Sequence, residues 1–161
     1  MERRKTIKRV GILTCSNTTQ DVACSSFLCL KGVNESEGAF ACYKGEGGAQ
    51  LVGIINYAGC PTATVPEKLL GRVRSLTELR VDAIHLGACM LALCPFKNRY
   101  LKVLREKFPG IEFVEGTHQE SPGVTAEMFV DAMKQMLTQP HQTMADVTKV
   151  LISQMSTAEK S

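Results

Sequence analysis

With 161 residues, 44% of them hydrophobic and 22% charged, the chain has the size and composition of one globular domain that buries a core without disulfide staples. No run of about 18 apolar residues occurs, which argues against a membrane span, and Met1 to Arg9 is basic without the apolar stretch of a signal peptide, so a reducing cytoplasm is expected. The net charge of +3 clusters only in the leader at residues 1–7 and just beyond it, and the lack of Trp leaves few platforms for stacking bases, so nucleic acid is not an expected partner.

Val10-Gly11-Ile12-Leu13-Thr14 reads as the first strand. Cys24 to Val33 suggests a short helix, and Gly45-Glu46-Gly47-Gly48 a turn. That turn lacks the spacing of a phosphate loop. The second strand is Leu51-Val52-Gly53-Ile54-Ile55. Thr64-Val65-Pro66-Glu67 reads as a capping box before a helix carrying Leu69, Leu70, Val73, Leu76 and Leu79. The third strand is Ala83-Ile84-His85-Leu86, with His85 expected as a hydrogen-bonded core residue. Leu101, Leu104 and Phe108 mark a helix stopped by Pro109-Gly110, and Ile111-Glu112-Phe113-Val114 is the fourth strand. Met128 to Leu137 reads as a further helix, and 141–161 as a C-terminal one with a stripe at Met144, Val147, Leu151 and Met155.

Nearly continuous apolar strands alternating with helices predict an α/β fold, with a parallel sheet between two helical layers. Right-handed crossovers place helices on both faces. The expected order of the four strands is 2-1-3-4, which resembles half of a flavodoxin-like fold. No linker divides residues 1–161, so one domain is expected.

The seven cysteines set the question of function. An odd number, without an export signal, does not read as a disulfide framework. In open α/β sheets, ligands bind beyond the carboxyl ends of the strands. Cys15 follows the first strand, Cys60 the second, Cys89 the third and His118 the fourth. Three thiolates and an imidazole at one edge suit zinc, and could also hold an iron–sulfur cluster. Cys60 precedes a helix whose N-terminal dipole favours the thiolate. Cys24, Cys29 and Cys94 are possible substitutes. A continuous helix would set Cys24 and Cys29 about 140° apart, so Cys24, in a loop, is favoured of the two. Cys94 can join Cys89 if Met90 to Leu93 is a loop, with Cys94-Pro95 opening the next helix. Cys42 has no such argument and reads as structural.

These stretches, with Gly38-Ala39-Phe40, Gly59-Cys60-Pro61 and Gly116-Thr117-His118, together resemble the CGGC-domain family across most of residues 8 to 118. The resemblance implies a cysteine- and histidine-rich domain that binds metal, with zinc as the expected ion and no particular reaction attached. Tyr57-Ala58-Gly59-Cys60 stands where the family signature has Cys-Gly-Gly-Cys, so this loop offers one thiol.

Three functions follow as expectations. A metal site with four ligands would serve structure, storage or sensing, and one with three ligands and an open position would permit hydrolysis. A thiol–disulfide protein would use Cys89 and Cys94, or Cys15 and Cys24. A phosphatase-like loop at Cys15 lacks the Arg that such a loop needs. A non-enzymatic module would take a small ligand, or would pair with a second copy through the C-terminal stripe as a homodimer.

Overall fold

A computed structural model describes residues 7–20, 24–57, 66–118 and 131. The chain divides into two units, Met1–Gln119 and Glu120–Ser161, and of the second only Asp131 is described. Most of the basic leader, the loop with Cys60 and the two C-terminal helical stripes lie outside the described residues.

Among the described residues, four parallel strands form one sheet in the order β2-β1-β3-β4. They are β1 (Lys8–Cys15), β2 (Ala49–Tyr57), β3 (Ala83–Leu86) and β4 (Glu112–Glu115). Both faces carry helices, as the α/β reading expects. Inner strands β1 and β3 are buried along most or all of their length. Strand β2, which among the described residues has a neighbour on one side only, is half-buried despite an equally apolar sequence.

One face is covered by α2 (Phe27–Glu35) and a 3-10 helix (Gly38–Tyr43), which follow the short α1 (Ser16–Gln20). Val10, Ile12 and Ala83 of the sheet pack there against Cys29, Val33, Phe40 and Tyr43. The other face buries Leu13, Ile84, Leu86 and Phe113 under α3 (Glu67–Thr77), α4 (Ala88–Leu93) and α5 (Lys97–Lys107). Leu76 of α3 lies directly over paired glycines of β1 and β2. A Cβ on Gly11 would fall 2.6 Å from its Cδ1, and one on Gly53 would fall 2.9 Å from its Cδ2. The glycines bring α3 close to the sheet, and no larger residue fits without moving Leu76.

Several local expectations are corrected. α2 starts at Phe27, leaving Cys24 in the preceding loop, where its N–H bonds the Thr18 carbonyl at 3.1 Å. α3 starts with Pro66 at its N-cap and no side-chain cap. Thr64 of the expected capping box lies outside the described residues. Met90 to Leu93 is helical, as part of α4. The next helix opens at Lys97, past Cys94-Pro95. No helix among the described residues is long and apolar enough to cross a membrane.

Candidate metal centre

Cys15 ends β1 buried, with its side chain in the core beneath α3 to α5. Its backbone N–H donates to Cys89 Sγ at 3.4 Å. Cys89 occupies the first turn of α4, directly after β3. Burial pushes the Cys89 thiol up to about 11, helped by the nearby Cys15, Cys29 and Cys24 thiols and opposed by the Cys15 N–H. Two expected strand-end residues therefore do meet. Cys60 lies outside the described residues.

Among the described residues, Cys29 and His118 bring a sulfur and an imidazole together, with Sγ and Nδ1 3.5 Å apart. Cys29 comes from the buried face of α2 and His118 from the turn after β4. Thr117 ties the pair together. Its Oγ1 accepts the Cys29 thiol at 3.4 Å and the Ala88 N–H at 3.1 Å, and it lies 3.3 Å from His118 Nδ1. Thr117 also connects the pair to α4, one residue from Cys89. Burial raises the Cys29 thiol, against a lowering by the Thr117 hydroxyl, which can donate to the thiolate. Burial lowers His118, which keeps its imidazole neutral at pH 7.

The turn that carries Thr117 and His118 is fixed from several sides. Gly116 N–H donates to the Leu86 carbonyl at 3.1 Å, and the Thr117 carbonyl accepts the Ala39 N–H at 2.9 Å. Gly116 has φ of 133°, and a Cβ there would fall 3.2 Å from Ala39 Cβ, so the position favours glycine. Its carbonyl accepts from His85 Nδ1 at 2.8 Å. His85 is fully buried, stacks on Phe40 with ring centroids 4.1 Å apart, and meets Tyr43 Oη at 2.9 Å through Nε2. Burial lowers it to about 4, against the raising effect of the Gly116 carbonyl, so it is a neutral core histidine as expected.

The remaining described thiols differ in setting, and Cys24 lies near enough to Cys29 and Cys89 to raise both. Cys94 caps the C-terminal end of α4 and is buried in the core, so a helical segment, and not a loop, separates it from Cys89. Cys24 is exposed beside α2. Cys42 donates to the Ala39 carbonyl at 3.2 Å on the exposed side of the 3-10 helix. Tyr57 is buried in the core, with its hydroxyl bonded to that of Tyr100. Among the described residues, no three His, Cys, Asp or Glu side chains are arranged to hold one ion.

Sequence reasoning ranked Cys29 below Cys24 and overlooked Thr117. Cys29 had one usable signal: it lies four residues before Val33, on the apolar face that α2 buries. Nothing in the sequence singles out the Thr117 hydroxyl.

The CGGC domain model matches residues 9–118 of the chain. Uncharacterized protein MJ0582 of Methanocaldococcus jannaschii is 33% identical over 120 residues, covering 68% of this chain and 86% of that protein. No solved structure matches the chain.

Proposed function

The chain belongs to the CGGC domain family, and from that premise we propose that it binds a thiophilic metal ion, zinc in preference to an iron–sulfur cluster. Cys29 and His118 are the first two ligands in this reading. Cys15, Cys89, Cys24 and Cys60 are the thiols from which the remaining ligands are drawn, and Cys94 is the least favoured because α4 separates it from Cys89.

The observation that supports the reading is the spacing of the first pair. Zinc–sulfur and zinc–nitrogen bonds of about 2.3 and 2.0 Å at a tetrahedral angle put the two donor atoms roughly 3.5 Å apart. Cys29 Sγ and His118 Nδ1 have that separation. The donor types also match a borderline soft cation. Neutral His118 can bind without losing a proton, whereas each thiol must give one up. A bound ion would supply the charge that holds the thiolates together. A reducing cytoplasm would keep them available.

Thiol redox chemistry finds less support. The attacking species is a thiolate, and burial keeps Cys89, one thiol of the expected Cys89–Cys94 pair, protonated at neutral pH.

Protein purified without oxygen, analysed for metals and acid-labile sulfide, tests the proposal. About one zinc per chain is expected, with at least tenfold weaker binding after Cys29→Ser or His118→Ala. Iron with stoichiometric sulfide would move the reading to a cluster. Folded protein that takes up neither zinc nor cobalt, and that reversibly loses two thiols on mild oxidation, would replace it with the redox function.

A further inference from the structure

We infer that His85 is a positioning residue: through the Gly116 carbonyl it holds the Thr117–His118 turn where His118 can share an ion with Cys29. The inference rests on the reading of Cys29 and His118 as ligands.

The hydrogen bonds around His85 run in one direction only. A carbonyl oxygen can only accept, so Nδ1 must carry the proton that goes to Gly116 at 2.8 Å. Nε2 is then an acceptor, and Tyr43 must be the donor at 2.9 Å. The chain therefore reads Tyr43 O–H to His85 Nε2, then His85 Nδ1–H to the Gly116 carbonyl. Phe40 stacks on the ring and fixes its plane. Tyr43 and Phe40 belong to the same 3-10 helix, whose Ala39 N–H holds the next carbonyl of the turn, that of Thr117.

Two consecutive carbonyls, Gly116 and Thr117, are thus oriented from one 3-10 helix and the histidine packed on it. The Thr117 side chain is anchored separately by Ala88 N–H. These contacts leave the peptide before His118 little freedom to rotate. A ligand held by residues that do not themselves touch the ion is a recurrent feature of metal sites, and loss of such support commonly lowers affinity 10- to 100-fold. Neutrality of the buried ring suits the role, since a second ring proton would have to face the Tyr43 oxygen and displace its hydrogen.

Two substitutions separate this role from general packing. An Asn side chain can place its amide N–H near Nδ1 and keep the donor to Gly116. A Gln side chain places its amide nearer Nε2, keeping the Tyr43 contact and losing the Gly116 one. Metal affinity is read by competition against a chelator, cobalt coordination by visible absorption, and folding by urea denaturation. Cys29 alkylation in the metal-free protein is followed site by site by mass spectrometry.

His85→Asn should bind zinc within about threefold of the wild type and keep its cobalt spectrum, whereas His85→Gln should bind at least tenfold more weakly with an altered spectrum. In the metal-free protein, His85→Gln should expose Cys29 to alkylation several-fold faster than His85→Asn. Equal effects of the two variants on affinity and alkylation, or no effect of either, would overturn the inference. A wild type that binds no metal defeats the reading of the ligands, and the alkylation comparison then decides the positioning role alone. If neither variant folds, imidazole nitrogen NMR of the wild type decides: the proton is expected on Nδ1, and a proton on Nε2 would overturn the role.

Discussion

Cys29 Sγ and His118 Nδ1 stand 3.5 Å apart although 89 residues separate them in the chain. One sits on a helix packed against the sheet, the other on a turn beyond the last described strand. Thr117 bonds both, and no contact nearby in sequence could have produced the pair.

Metal affinity should rise steeply with pH. Burial raises the Cys29 thiol and pushes that of Cys89 up to about 11, so both hold their protons at pH 7. Binding an ion releases those protons, while His118, already neutral, releases none. Each thiol that becomes a ligand should contribute about a tenfold gain in affinity per pH unit across pH 6.5 to 8. Chelator competition at several pH values measures the slope. A flat profile would mean that no protonated thiol becomes a ligand.

Acid should destabilise the fold through His85. Its folded-state pKa, near 4, lies below the ordinary value of 6.5, so between these values the unfolded chain takes up a proton that the folded chain refuses. The stability is present above pH 6.5 and lost as pH falls toward 4, by at most about 3 kcal/mol. Urea unfolding at pH 7 and pH 4.5 should show the loss in wild type and a smaller loss in His85→Asn. Parallel losses in both proteins would assign the acid sensitivity elsewhere.

Gly11→Ala should cost about 1–3 kcal/mol. The new methyl would lie 2.6 Å from Leu76 Cδ1, and Leu76 cannot swing freely because its other methyl faces Gly53. Combined with Leu76→Ala, which opens a cavity, the substitution should cost less than the two single effects added together. Denaturant midpoints of the four proteins measure this, and strict additivity would show that the close approach is not felt.

Gly116→Ala should weaken metal binding more than it weakens the fold. The site needs φ of 133°, and the added methyl would press on Ala39 at 3.2 Å. The turn should shift, moving His118 away from Cys29, with at least a tenfold loss of zinc affinity beside a modest change in urea midpoint. Unchanged affinity in a destabilised protein would separate the turn from the site.

The sheet was legible because its strands are short apolar runs separated by helical periodicity. Strand β3 matches the predicted Ala83 to Leu86, and β4 begins one residue later than expected. Helix α4 was missed because four apolar residues after Gly87-Ala88-Cys89 are too few to show a helical period. Helix geometry pointed to Cys24 in a loop, and α2 indeed begins after it, at Phe27. Placing thiols at strand ends led to Cys15 and Cys89 but not to Cys29, which reaches the same edge from a covering helix. Tyr57 is where the family pattern has a thiol, and its burial against Tyr100 gives that position to packing.

The tie between Ala39 and Thr117 also bears on the order in which the protein takes shape. A ribosome releases Cys15, Cys24 and Cys29 long before His118 emerges, and the bond that seats the turn of Thr117 and His118 reaches back to the first third of the chain. Until β4 docks, the early thiols have no imidazole partner and face reactive small molecules alone. Completion of the pair therefore coincides with closure of the sheet, so that capture of an ion would report that this part of the chain had been made and folded.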